Sequence, residues 1–413
     1  MKGLEILEHR GEEYLRLVNN AKWTLASLNW APRFDEANIV ELERHNLTDE
    51  TFVLLKGKAT LLMGEKAERV EMAPLKYYNV RAGMWHHIIV SKDARVLVAE
   101  NANTSKDNTD YLSLETGKCF RKRPGFEEVL PGTYLLKVPF GPVWTGIVLV
   151  RGEKNILIDS SHLEPERYLI PALDDLGLKP GDIDWLLNTH VHGDHIGGHY
   201  ALVNRYGLKT ATLKNAADAL RDPVKVAIRV RTRFPKNSPP PQSYLKGVEP
   251  DKLLEEGELL DGRFYALETP GHDNDCLTWI DTATGTAFSG DSIQGNGTPT
   301  QGVGFYRDLA AYRRSLRKLS EQNLQNLVCG HDYAGIGSVV KGREAVLEAL
   351  RYCSERVDLY GRKIKEYLAS GVPVEEEPVS LALKLIGEVG CGMPESLFLA
   401  LHTVSEHLKE INK

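Results

Sequence analysis

The stretch THVHGDHIGG (189–198) places His190, His192, Asp194 and His195 within six positions, in a chain with 13 histidines among 413 residues. Imidazole nitrogen and carboxylate oxygen suit zinc, and also iron and manganese. His190 and His192 alternate, so on an extended backbone both reach one ion. Asp194 and His195 then project elsewhere as the chain turns into a helix, a spacing that suits two ions rather than one. The missing ligands are expected on other strand-end loops. TPGH supplies His272, SGD supplies Asp291 and CGH supplies His331, each after an expected strand and each with a glycine immediately before the candidate ligand. For any one of these residues the plain alternative is a buried, satisfied histidine or an ordinary turn aspartate; for the whole set that alternative is weak.

HxHxDH (190–195), TPGH (269–272), SGD (289–291) and GH (330–331), in that order, resemble the metallo-β-lactamase fold superfamily over roughly 130–335. The resemblance implies that His190, His192 and His272 hold one metal, that Asp194, His195 and His331 hold a second, and that Asp291 bridges them. Asp159, in NILIDSS, matches a family aspartate that supports the site from the strand behind it. The commonest true β-lactamases place a cysteine where this chain has Asp291. The all-His/Asp set is closer to glyoxalase II, lactonases and related thioester or phosphodiester hydrolases.

The implied cofactors are two divalent metal ions, zinc first, with iron or manganese as alternatives. Two metals lower the pKa of a bridging water towards about 7, giving hydroxide at neutral pH. The expected activity is therefore a dinuclear metal-dependent hydrolase acting on an ester, thioester, lactone or phosphoester bond of a small substrate, with Asp194 or Asp291 also able to shuttle the proton. Two other readings stay open. One is a mononuclear iron dioxygenase of the persulfide type, which shares this fold and much of its motif set. The other is a small-molecule sensor in which the N-terminal domain is the binding module.

Substrate clues are fewer. Residues 224–236, VKVAIRVRTRFPK, carry five cations and no acid. Lys225, Arg229 and Arg233 share one face if the segment is helical, and that face would draw an anionic substrate. A solvated charged face is the plain alternative. Tyr306 is a candidate hydrogen-bond donor to an oxyanion, or a core residue. Cys276 is expected to be a buried thiol, and His199 to lie behind the site or at the surface.

The elements that must position these residues follow from pattern. TYLLKV, GIVLVRG, NILIDSS, IDWLLNTH and NLVCGH read as strands, and TWIDTATGTAFSGDS as two strands around a turn. LEPERYLIPALDDLG and LAAYRRSLRKLSEQ read as helices, and the proline cluster at 238–242 as a loop. The expected fold class is α/β: an αββα sandwich over 125–340, preceded by a small all-β barrel over 1–112 and followed by a helical appendage over 341–413.

The N-terminal stretch ELERHNLTDETFVLLKG resembles the first cupin motif, with Glu50 seven residues before Gly57; RAGMWHH echoes the second. On that register His45, Glu50 and His86 take ligand positions and Glu43 replaces the usual further histidine. The resemblance implies either an additional metal or a barrel that binds a small ligand or mediates dimerisation, so a homodimer is an expectation.

Bulk properties narrow the partners. A formal net charge of −6, with 42% hydrophobic and 26% charged residues, fits neither a general nucleic-acid binder nor a membrane-surface binder. No apolar run approaches the roughly 20 residues that span a bilayer. The charged start MKGLEILEHRGEEYL lacks the apolar region of a signal peptide. Five scattered cysteines without a CxxC read as reduced thiols, which places the expected location in the cytoplasm. A small-molecule substrate is the expected partner.

Overall fold

Along Arg95–Asn101, Val96, Val98 and Glu100 point inward and are buried, while the residues between them are half-exposed. That period of two makes a half-buried strand, and it recurs throughout the first part of the chain. A computed structural model describes residues 4–20, 22–102, 104–105, 108–162 and 164–413. The chain divides into two units, Met1–Pro124 and Gly125–Lys413.

The first unit is all-β. One antiparallel sheet orders Tyr14–Asn19, Trp23–Asn29, Arg95–Asn101, Glu50–Lys56 and Tyr77–Val80; the other orders Cys119–Arg121, Thr109–Ser113, Glu41–His45, His86–Val90, Ala59–Met63 and Glu68–Glu71. Leu28, Phe52 and Val98 of the first sheet share one core with Leu61, Ile88 and Val90 of the second. Because Cys119–Arg121 pairs with Thr109–Ser113, the sheet continues beyond residue 112.

The second unit has four layers. A seven-stranded sheet runs Phe126–Leu130, Thr133–Phe140, Val143–Val150, Ile156–Ile158, Trp185–Leu187, Thr210–Leu213 and Lys252–Leu254, parallel from Ile156 onward. A five-stranded sheet runs Phe264–Glu268, Leu277–Asp281, Thr286–Gly290, Asn326–Tyr333 and Gly337–Lys341. Leu135, Ile158 and Leu187 meet Phe264, Trp279 and Phe288 between the sheets. Leu169, Leu173 and Leu202, on the helices Leu169–Asp175 and His199–Tyr206, cover the outer face of the larger sheet. The helix Leu309–Ser320, started by Asp308 accepting from the Ala311 N–H at 2.8 Å, covers the smaller one together with Arg343–Ala369, Val379–Val389 and Phe398–Ile411. The C-terminal helices thus belong to the core of this unit. The architecture is the expected αββα sandwich, with β-sheets before it and helices after.

Two elements are shorter than their sequence patterns. The helix expected from residue 163 begins at Leu169, after a turn in which the Ile170 N–H donates to the Pro165 carbonyl; Leu163 itself lies outside the described residues. The strand expected over IDWLLNTH is regular only over Trp185–Leu187. Beyond it, the Asn188 carbonyl accepts from Trp279 Nε1, and Thr189 O from the Leu277 N–H, so the backbone leaves the ladder and carries the histidines outward. Among the described residues no helix is long and apolar enough to cross a membrane.

Candidate metal centre

The candidate ligands sit where strands of both sheets end. His190 and His192 follow Trp185–Leu187, and Asp194 and His195 lie in the short helix Gly193–Ile196. His272 follows Phe264–Glu268, Asp291 directly follows Thr286–Gly290, and His331 lies within Asn326–Tyr333. Their ligand atoms form groups within 4.8 Å: His190, His192 and His272; Asp194, His195 and His331; and His190, His195 and Asp291. The Asp291 carboxylate faces two ways. Oδ2 is 3.4 Å from His272 Nε2, whereas Oδ1 is 3.2 Å from His195 Nε2 and 3.6 Å from His331 Nε2.

Each imidazole is oriented by its far nitrogen. His195 Nδ1 donates to Asp159 Oδ2 at 2.8 Å, His272 Nδ1 to the Phe305 carbonyl at 3.1 Å, and His331 Nδ1 to the Trp144 carbonyl at 2.6 Å. His192 Nε2 donates to Asp273 Oδ2 at 3.2 Å, and His190 Nδ1 contacts Thr189 Oγ1 at 3.2 Å. These partners orient the rings and turn the other nitrogen of each toward the centre, where a metal would take its lone pair. His192 Nδ1 and His272 Nε2 then face each other at 3.0 Å, lone pair to lone pair. His190 Nε2, His195 Nε2 and Asp291 Oδ1 are buried with no hydrogen-bond partner among the described residues. A buried polar atom left unpaired costs about 1–3 kcal/mol. Several in one spot, all ligand atoms, fit divalent cations.

The residues before the ligands are shaped by crowding. A Cβ on Gly330 would stand 2.6 Å from His195 Cε1 and 2.7 Å from Asp291 Oδ1. Gly290 has φ +49°, and a Cβ there would meet Thr189 Oγ1 at 2.1 Å. Asp159 itself has φ +62° without being glycine, and accepts from the Thr189 N–H and hydroxyl as well as from His195. His199, just past the motif, is buried against Ser160 Oγ at 2.7 Å.

Electrostatics divide the two ligand groups: burial lowers His195 and His331, but Asp291 and Asp194, with Asp159 for His195, outweigh it and raise both, so without an ion these two hold protons that a bound metal would displace. Burial and neighbouring imidazoles push the pKa of His190 well below the usual value, and burial lowers His272 to about 4, so both stay neutral. Burial would raise the carboxyl of Asp291, but His331 and His195 outweigh it and hold it charged. The same balance, with His195 and His331 as the partners, keeps Asp194 ionised.

These groups open into a cavity of about 530 Å³, whose wall includes His192, Asp194, His272, Asp291 and His331 together with Phe140, Phe305 and Phe398. The expected substrate residues do not line it. On the helix Pro223–Thr232, Lys225 is exposed and its N–H donates to the carboxylate of the N-cap residue Asp222; Arg229 pairs with Asp273; Arg233, just past the helix, bonds Glu406 and Ser405. The face that meets the cavity is instead Ala227, Val230 and Arg231. The reason is that Val226, Ala227 and Val230 are the residues buried against the unit, which turns 225 and 229 away. The Tyr306 hydroxyl is bonded to His407 Nε2 at 2.6 Å and its ring stacks on Tyr312, in the core. Asp273, which receives His192, Arg229 and Arg307, was not singled out in the sequence, although its place directly after a ligand histidine is a usable signal.

In the first unit, His45 Nε2 and His86 Nε2 both donate to Glu50 Oε2, at 3.1 and 2.9 Å. Thr109 Oγ1 and the Met84 carbonyl hold the opposite ring nitrogens. Glu43, half-buried, joins His45 and His86 in a group of ligand atoms within 4.8 Å. Burial alone would raise the carboxyl of Glu50, but the two histidines hold it down at about 2.

Known proteins resemble the second unit in sequence and in fold. Residues 138–331 match the Metallo-beta-lactamase superfamily. The chain is 27% identical over 267 residues to the beta-lactamase-like protein 2 homolog of Drosophila melanogaster, covering 64% of this chain and 81% of that protein. It is 27% identical over 201 residues to a hydroxyacylglutathione hydrolase of Chelativorans sp. (strain BNC1), covering 45% of this chain and 66% of that protein. A crystal structure of a metallo-beta-lactamase family protein from Thermus thermophilus shares its fold, with a TM-score of 0.51 and 21% identity, covering 69% of this chain and 94% of that one. The four-layer sandwich, the order of its ligand motifs and these matches make residues 138–331 a domain of the metallo-beta-lactamase superfamily.

Proposed function

We propose that this metal-dependent hydrolase works with two divalent ions, zinc first, and cleaves an ester, thioester, lactone or phosphoester bond of a small substrate. The observation that supports two ions rather than one is the two-way carboxylate of Asp291 between the His272 and His195/His331 groups. His190, His192 and His272 would hold one ion, Asp194, His195 and His331 the other, and Asp291 both. Bound there, the ions would bring the pKa of a water from 15.7 towards about 7 and polarise the scissile group. Asp194, ionised and open to the cavity, would take up the proton of the attacking water at its carboxylate and return it to the leaving group. Phe140, Phe305 and Phe398 would exclude bulk water around the scissile bond. The hydroxyacylglutathione hydrolase among the relatives is in keeping with acyl chemistry.

For the first unit we propose a cupin-like site in which His45, Glu50 and His86, with Glu43, hold a further metal. Its support is the convergence of both Nε2 atoms on one carboxylate.

Mass spectrometry of protein purified without added metal tests both sites. About two equivalents of zinc, manganese or iron per chain support the hydrolase, and a third equivalent that disappears in His86→Ala supports the N-terminal site. One iron and nothing else would overturn the dinuclear reading in favour of oxygen chemistry, to be followed by oxygen consumption on persulfides.

A further inference from the structure

We infer that Arg231 anchors an anionic group of the substrate, and that the substrate is a small ester or thioester whose apolar acyl body carries a free carboxylate. The inference rests on the hydrolase reading above and names the class of molecule that the cavity takes.

The cations of residues 224–236 have separate fates. Arg229 is spent on Asp273 and Arg233 on Glu406. Lys236 pairs with Glu376 at 2.9 Å on the surface, and Lys225 is exposed away from the cavity. Arg231 enters the cavity wall, one helical turn from Ala227, and its guanidinium lies over the Phe398 ring at 4.6 Å. Among the described residues no carboxylate stands within ion-pair distance of it, although it is half-buried. Burial acts to lower its pKa, and the acid whose field it feels most is Asp194, one of the candidate metal ligands.

A guanidinium withdrawn from water without a counter-ion is costly unless something else satisfies it. Stacking on Phe398 engages its face and leaves its edge of N–H donors directed elsewhere, in the fork that matches a planar carboxylate. The apolar part of the space it shares with the ligand residues is lined by Val191, Ala227, Val230, Phe305, Phe398 and Leu399, beside amides and hydroxyls such as Gln242, Thr300 and Gln301. A ligand spanning that space carries a hydrolysable group at the ligand residues, an apolar middle and one anionic end.

The same lining speaks against a polyanion. A nucleic-acid strand gains its affinity from several Lys and Arg contacts to phosphate. Arg231 is the single Lys or Arg among the described lining residues, and Glu395 adds a negative charge to the same wall. One cation in an apolar cavity selects a small monoanion.

The test compares two esters on metal-loaded protein: p-nitrophenyl hexanoate, and the mono-p-nitrophenyl ester of adipic acid, which ends in a carboxylate. The wild-type chain is expected to favour the carboxylate ester in kcat/KM by tenfold or more, the scale of one charge-assisted hydrogen bond. Arg231→Met, which keeps an apolar stem against Phe398, should collapse that preference through KM, and Arg231→Lys should keep part of it. A wild type without the preference, or an Arg231→Met chain that retains it, overturns the inference. If the wild type cleaves neither ester, the hydrolase reading fails for these bonds and calorimetry decides on Arg231 separately. The half-amide of adipic acid should then bind Arg231→Met at least tenfold more weakly, while adipamide, the neutral diamide, binds both proteins alike and reports an intact cavity. Equal binding of the half-amide to both would place its carboxylate elsewhere and overturn the inference.

Discussion

Asp159 Oδ2 accepts the Nδ1 proton of His195 at 2.8 Å from a backbone held at φ +62°. A non-glycine residue in that region costs on the order of 1–3 kcal/mol and persists where its surroundings over-determine it. Here three hydrogen bonds, two from Thr189 and one from His195, do so. Asp159→Ala is expected to leave the chain folded and to weaken the metal held at His195 by about 10–100-fold, as loss of a ligand's supporting partner does. Chelator competition on the purified variant reads this; unchanged metal affinity would show that Asp159 serves the fold alone.

Asp291 and His192 face the centre of the site from different loops. His192→Ala and Asp291→Ala should each abolish metal-dependent turnover with circular dichroism unchanged. Asp291→Ala should also release more than one equivalent of metal, because both ligand groups lose the same carboxylate. Full activity in either variant would refute the site.

Gly330 has no room for a side chain, with His195 Cε1 2.6 Å and Asp291 Oδ1 2.7 Å from where a Cβ would stand. Gly330→Ala should therefore cost about 1–3 kcal/mol, the usual range for overpacking, and lower activity at least tenfold by displacing two ligands. Gly181, whose Cβ would meet nothing within 4 Å, supplies the control. Gly181→Ala should change stability by about 0.5 kcal/mol at most. Matching thermal melts for the two variants would contradict the crowding.

The Glu50 cluster makes the first unit sensitive to pH. Its carboxyl is held at about 2, below the ordinary 4.5, so its contribution is present above pH 4.5 and lost as pH falls towards 2. Burial opposes charge on His45 and His86, but Glu50 outweighs it and raises both above 6.5. Their contribution is complete below pH 6.5 and lost as pH rises through the raised values. In metal-free protein, Glu50→Gln should thus cost most between pH 4.5 and 6.5, about 3 kcal/mol. The difference should narrow on either side. Thermal unfolding of both proteins across pH 3–9 measures it, and a difference that does not vary with pH would rule the cluster out as its source.

The clustering of the candidate ligands was legible because metal chemistry restricts residue type, and strand ends restrict position. His190, His192, His272 and Asp291 needed no knowledge of their neighbours. Arg231 was not legible, though the stretch holding it was. Helical spacing relates Lys225, Arg229 and Arg233 to one another, but which face turns inward depends on the apolar surface that Val226 and Val230 meet, and Arg229 and Arg233 find Asp273 and Glu406 far away in the chain. Tyr306 stayed open between an oxyanion donor and a core residue for the same reason: its hydroxyl answers to His407, 101 positions later, which puts it in the core. Local pattern also overran the strand at Trp185–Leu187, since Trp279 and Leu277 take the hydrogen bonds that would have prolonged it.

Phe398 and Leu399 form part of the cavity wall, yet every candidate ligand precedes them, the last being His331. A ribosome therefore delivers all the candidate ligands of this centre well before it delivers that part of the wall. A nascent chain at this stage lacks the helices that complete the core of this unit, and Arg231 still lacks the ring on which it stacks. The candidate ligands and the wall of the cavity they open into are thus made at different moments of synthesis, and the cavity is closed only when the last helix docks.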